Sequence, residues 1–249
     1  MEYRNSQESY EIYDASESRV FHPAKDVVSD QASFIRNVYL HLTGAVASFA
    51  ALEAAIFAFV GVAPIASFMQ DHARLTSLIL LGLCLGGPAL GQALVGSNPS
   101  KRAQYFLLAF YVFLYAAIFL PILTFAQILT GDASLIWEAV GLTVALFIAL
   151  SAAVFMTRKD FSFLRTGLTF VGLAAIILIV ASFIFNFYLG TWFSVAMILF
   201  ACGYVLYGTS NIIHHCGPGD EVFASIELFA SVMTLFYYIL RILMAFNRR

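Results

Sequence analysis

Hydrophobic residues run along this chain in seven long blocks, roughly 38–62, 77–96, 104–129, 135–157, 166–186, 191–213 and 222–246. Each reaches the ~20 apolar residues that an α-helix needs to cross a bilayer. The linkers are short and no internal repeat stands out. The pattern therefore predicts an all-α polytopic membrane protein, with seven transmembrane helices forming one domain over residues 33–249. Residues 1–32 are polar, with Tyr3, Tyr10 and Tyr13 set among seven carboxylates, and read as a flexible solvated tail. No apolar core follows a basic start there, so a signal peptide is not expected.

The last block departs from the others. It carries Glu227, Ser231, Thr234, Tyr238 and Arg241 among its apolar residues. Those positions step by 4, 3, 4 and 3, the recurrence that keeps side chains on one helical face. At ~100° per residue they fall within a wedge of roughly 80°. A charged side chain facing lipid near the bilayer centre costs at least ~2.5–3.5 kcal/mol. The stripe is thus expected to face protein or water, which predicts a central seventh helix ringed by the other six.

Composition agrees. The chain is 61% hydrophobic and 11% charged, against ~45–50% and ~25% in soluble domains. A net charge of −2 gives no footprint for nucleic acid. Cys84, Cys202 and Cys216 are odd in number and lack metal-ligand spacing, so they read as packing residues rather than a disulfide framework. The loop His214-His215-Cys216-Gly217-Pro218-Gly219-Asp220-Glu221 matches no established metal site and reads as a turn. No cofactor is expected. The lysines, Lys25, Lys101 and Lys159, all lie outside the spans, which excludes a retinal Schiff base. No Ser–His or paired-Asp arrangement sits at membrane depth, and Ser231 is a nucleophile in name only. The chain is not expected to be an enzyme.

Among the remaining polar residues, Glu53 lies well inside the first span, with no Lys or Arg within a turn of it in the sequence. Desolvation disfavours a charged carboxylate, so it reads either as a hydrogen-bonded structural residue or as a proton or cation site. His41 and Glu138 read as interfacial. Gly82/Gly86 and Gly87/Gly91 are small-xxx-small pairs that let helices approach closely, and Pro88 predicts a kink. A cytoplasmic N-terminus places nine of thirteen basic residues inside (Arg4, Arg19, Lys25, Arg36, Lys101, Arg102, Arg158, Lys159 and Arg165), as the positive-inside rule favours. A bacterial inner membrane is the expected location.

Five stretches resemble one family when taken together. They are Phe34 to Leu42, Ile118-Phe119-Leu120-Pro121, Thr157-Arg158-Lys159-Asp160-Phe161-Ser162, Tyr204-Val205-Leu206-Tyr207-Gly208-Thr209, and Ala224 through Arg241. In this order on seven spans the chain is similar to the Bax inhibitor-1 family of seven-helix membrane proteins, including its YccA- and YetJ-like bacterial members. The resemblance implies six helices around a seventh. It also implies a proton-sensitive calcium leak controlled by two aspartates. Those aspartates fall on Gly208 and Ser231 here, and the family's asparagine in the seventh helix falls on Thr234.

Two carboxylates sharing a site hold a divalent cation and couple their titrations; a glycine and a serine do neither. The expected function is therefore a cation (calcium) or proton leak with altered gating. Its ion-pathway candidates are Glu53, Glu227, Ser231, Thr234 and Arg241, and calcium enters only as a transported ion. The alternative is a non-transporting regulator that binds other membrane proteins, such as a quality-control protease. The bilayer is the partner common to both.

Overall fold

The computed structural model describes residues 23–95 and 100–247, apart from the side chains of residues 23–30 and of Val95. Among the described residues eight helices follow one another: α1 Pro23–Phe59, α2 Val62–Asp71, α3 Ala73–Val95, α4 Lys101–Thr130, α5 Ser134–Thr157, α6 Leu164–Phe185, α7 Gly190–His214 and α8 Glu221–Asn247. All but α2 contain a stretch long and apolar enough to cross a membrane. The seven expected spans are all present.

Two boundaries differ from the sequence reading. α1 begins at Pro23, ten residues inside the stretch read as tail, and proline is favoured at a first helical position because its missing N–H has no helical partner there. Residues 1–22, with the tail tyrosines, lie outside the described residues, as do Arg248 and Arg249. At the other end α1 stops at Phe59, because Gly61 takes φ +84°, a conformation that suits glycine. The ten-residue α2 follows, too short to span.

α8 is the centre of the bundle. In α8, 61% of the most apolar stretch is buried, against 11–44% in the other six spans. It packs against α1, α4, α5 and α7. Its buried face meets a column of rings on α4. Tyr115 meets Phe229 edge-on at 5.4 Å, and Phe119 stacks on Phe236 at 5.4 Å with the planes 6° apart. Phe49 of α1 closes on Phe119 edge-on at 5.3 Å. Aromatic pairs of this geometry contribute about 0.5–1.5 kcal/mol each beyond their burial. The middle of the bundle is therefore filled by rings.

Glycines set the closest approaches. A Cβ on Gly87 would lie 2.6 Å from Leu114 Cδ1 and 3.2 Å from its Cγ, and one on Gly91 would lie 3.0 Å from the Phe110 ring. These two residues form the α3–α4 seam. Gly82 and Gly86 have nothing within 4 Å of such a Cβ, so of the two small-residue pairs only the second packs. Gly87→Leu is expected to destabilise the protein by ~1–3 kcal/mol through overpacking, while Gly82→Leu leaves it unchanged. Thermal unfolding in detergent micelles measures both, and equal midpoints for the two variants would contradict this seam.

Candidate functional site

Because the spans alternate in direction, the start of α1 shares one face of the bundle with the α5–α6 and α7–α8 loops. That near face is held together by hydrogen bonds between elements. The Gln31 amide donates to the Ile213 carbonyl at 3.1 Å, tying α1 to the end of α7. The Phe161 N–H donates to Ser210 Oγ at 2.9 Å, tying the α5–α6 loop to the same helix end. Asp160 accepts from the backbone N–H and hydroxyl of Ser162, and lies 3.9 Å from His215 Nε2. These Ser162 bonds, helped by the nearby His215 and His214, hold the Asp160 carboxyl below the usual carboxylate range.

Gly208 and Ser231 lie on the seam between α7 and α8. Gly208 is buried, and a Cβ there would meet Leu228 Cδ2 at 3.2 Å. Ser231 Oγ donates to the Glu227 carbonyl at 2.9 Å, and Thr234 Oγ1 donates to the Ala230 carbonyl at 2.8 Å. Ser225 Oγ does the same toward Val222 at 2.7 Å. The stripe faces protein, and these hydroxyls spend their hydrogens on their own helix. Beside Gly208, Thr209 Oγ1 lies 3.4 Å from Ser151 Oγ, in a fully buried contact.

The two glutamates of the candidate pathway occupy different surroundings. Glu227 is half-buried, with the Asn211 amide beside its carboxyl group and the Arg165 charge nearby but not in an ion pair with it among the described residues. Glu53 is 5% exposed, and both of its carboxyl oxygens are buried without a hydrogen-bond partner. It ends the inward stripe of α1 that runs Phe34, Val38, Leu42, Ala45, Phe49, one turn beyond the ring seal. Glu53 lies six residues before the end of α1, whereas Glu227 lies six after the start of α8. At 1.5 Å per residue each is ~9 Å from an opposite face of the bundle, so they do not form a pair. Arg241 lies on the far side, its Cζ 5.6 Å from the Tyr188 ring centroid.

Among the described residues no group of three metal-ligating side chains converges. The Cys216 thiol is pushed up to about 11, by burial first and then by the charges of Asp220 and Glu227. That holds it as a thiol, the inert form. Sequence reading missed three features: the Ser210 anchor, the Asp160–His215 contact, and a bond at 2.9 Å between His41 Nε2 and the Tyr105 hydroxyl. Only the Asp-Phe-Ser turn carried a local signal, since Asp side chains often bond the backbone two residues on. The other contacts join residues far apart in the chain.

One family model, described as Inhibitor of apoptosis-promoting Bax1, matches residues 31–248. The chain belongs to the Bax inhibitor-1 family. Bax inhibitor 1 of Schizosaccharomyces pombe is 35% identical over 137 residues, which cover 53% of this chain and 51% of that protein. The Golgi anti-apoptotic protein of vaccinia virus is 33% identical over 130 residues, covering 51% and 54%. A Campylobacter jejuni protein without an assigned function is 28% identical over 244 residues, covering 96% and 99%. The matched stretch thus spans about half the length of the first two relatives, and nearly the whole of the third.

Two measurements test this near face of the Bax inhibitor-1 fold. Ser210→Ala leaves the Phe161 N–H without its acceptor and should cost ~1–3 kcal/mol, with faster hydrogen exchange at Phe161. Because the Asp160 carboxyl is depressed, its contribution is present above the ordinary aspartate value of ~3.9 and disappears as pH falls through its lower native value. Hydrogen exchange in the 158–163 loop should therefore stay slow in mild acid and quicken only in strong acid. An Asp160→Asn variant that keeps the same acid profile would contradict that assignment.

Proposed function

We propose that this Bax inhibitor-1 family protein is a leak pathway for protons or a cation such as calcium, with Glu53 as its titratable element. The observation that carries the reading is the Glu53 carboxyl, buried at membrane depth with neither oxygen partnered. Ionisable groups inside membrane spans mark ion and proton routes by default. Gly208 and Ser231 supply no carboxylate, and Glu227 already has the Asn211 amide and the Arg165 charge nearby. Glu53 is the intramembrane carboxylate left for the task.

Phe119 supplies the closed gate in this reading. It is buried among Phe49, Tyr115, Phe236 and Tyr237, one turn of α1 before Glu53. Ring rotation there would join Glu53 to the near half of the bundle. Ser231, Thr234 and Arg241 would line the route on α8. The protein carries no catalytic residue in this scheme. It sits in a bacterial inner membrane with a cytoplasmic N-terminus, as the basic residues of the near face favour.

A second reading is a non-transporting regulator that binds other membrane proteins, a quality-control protease among them. What favours it is the closed α7–α8 seam, where Gly208 lies under Leu228 and Ser231 is bonded within its own helix. Calcium and proton flux into liposomes holding the purified protein separates the two. Flux above empty liposomes that Glu53→Gln abolishes, Glu227→Gln spares and Phe119→Leu raises is the expected result. No flux from folded protein at any pH near neutrality would overturn the leak and leave the regulator.

A further inference from the structure

A groove of about 780 Å³ lies between α1 and α4 on the outer surface of the bundle. Its volume falls within the ~300–1,000 Å³ of small-molecule sites. Along α1 it extends from Asn37 to Leu52, which at 1.5 Å per residue is ~22 Å. That exceeds the ~15 Å depth of one leaflet in a hydrocarbon core of ~30 Å. Gly44, Ala45 and Ala109 keep it open, and Leu40 and Phe113 form its walls, 61% and 63% exposed.

The near end of the groove is polar. His41 Nδ1 lies 2.7 Å from the Asn37 carbonyl, which only accepts, so Nδ1 carries the hydrogen and donates it. His41 Nε2 then accepts from the Tyr105 hydroxyl at 2.9 Å. This pair spans the groove and fixes its two walls at the depth where tyrosine is enriched, the membrane–water interface. One turn above Tyr105 on the same face of α4 is Lys101, next to Arg102. Arg36 precedes Asn37 on α1. All three cations are exposed, and none forms an ion pair among the described residues. Their long stems reach toward the headgroup level while the charges stay in water.

We infer that the groove is a binding site for an anionic phospholipid. One acyl chain lies between α1 and α4, and the phosphate is held by Arg36, Lys101 and Arg102. An annular lipid held by apolar contact alone would be indifferent to its headgroup; three exposed cations beside the polar end of a leaflet-deep groove, without an ion pair among the described residues, are not.

Native mass spectrometry of the full chain in detergent tests this, titrating phosphatidylglycerol against phosphatidylcholine with the same acyl chains. The first phosphatidylglycerol is expected to bind more tightly. That preference should fall about fivefold for each of Arg36→Gln, Lys101→Gln and Arg102→Gln. The double variant Arg158→Gln/Lys159→Gln removes charge from the same face away from the groove and should keep it. Ala109→Trp, at an exposed position, should weaken binding by filling the groove while the circular dichroism spectrum stays unchanged. Equal affinity for the two lipids, an equal loss in the Arg158/Lys159 variant, or undiminished binding in Ala109→Trp would overturn the site.

Discussion

Inside a bilayer no water is at hand for a polar group, so every donor and acceptor has to be satisfied by the protein itself. The central helix α8 meets that constraint locally. Ser225, Ser231 and Thr234 each donate to a carbonyl three or four residues earlier on the same helix. A helix that satisfies its own hydroxyls can be enclosed on several sides without bringing water along. That is what lets α8 take the middle of the bundle, with α1, α4, α5 and α7 packed on it.

The remaining polar content is then distributed by depth. Hydroxyls and amides that link one element to another collect at the near face, where Gln31 ties α1 to the end of α7 and Ser210 fastens the α5–α6 loop to that same helix. The middle is left to the rings of Phe49, Phe119 and Phe236. Small residues at Gly87 and Gly208 draw neighbouring helices to within contact of leucine side chains. The Tyr39, Thr76 and Ser194 hydroxyls are also buried without a partner, but among the described residues Glu53 is the carboxyl group in that position. Buried polar groups left unpartnered cost free energy, and ionisable side chains kept inside membrane spans mark functional sites by default. In the Bax inhibitor-1 family the resemblance puts the acids at the positions of Gly208 and Ser231. In this chain those positions serve packing, and the titratable group of the proposed pathway lies on α1 instead.

Much of the architecture was legible in the sequence because it follows from run length and period. Seven apolar blocks gave seven spans, and the 4, 3, 4, 3 spacing from Glu227 to Arg241 marked the central helix. What the sequence hid depends on partners distant in the chain. Gly82/Gly86 and Gly87/Gly91 are equivalent as motifs, yet only the second meets α4, because neighbour identity is not written in a motif. The short α2 was invisible because ten residues between two spans read as a loop until Gly61 ends α1. Glu53 and Glu227 looked alike as lone carboxylates in apolar runs. Only the fold brings Asn211 and the Arg165 charge near one and, among the described residues, no hydrogen-bond partner to the other. Ser231 and Thr234 read as a polar path, and their hydroxyls turn out to face their own backbone.

In the proposed pathway Glu53 is the reactive carboxyl of the membrane domain. Hydrophobic carbodiimides react with neutral carboxyl groups in apolar surroundings, and the labelled residue can be located by peptide mass spectrometry of protein treated in its native bilayer. Preferential labelling of the buried Glu53 over the half-buried Glu227, which has the Asn211 amide and the Arg165 charge nearby, is the result expected here. Labelling of Glu227 with Glu53 untouched would contradict it, and would return the site to the α7–α8 seam.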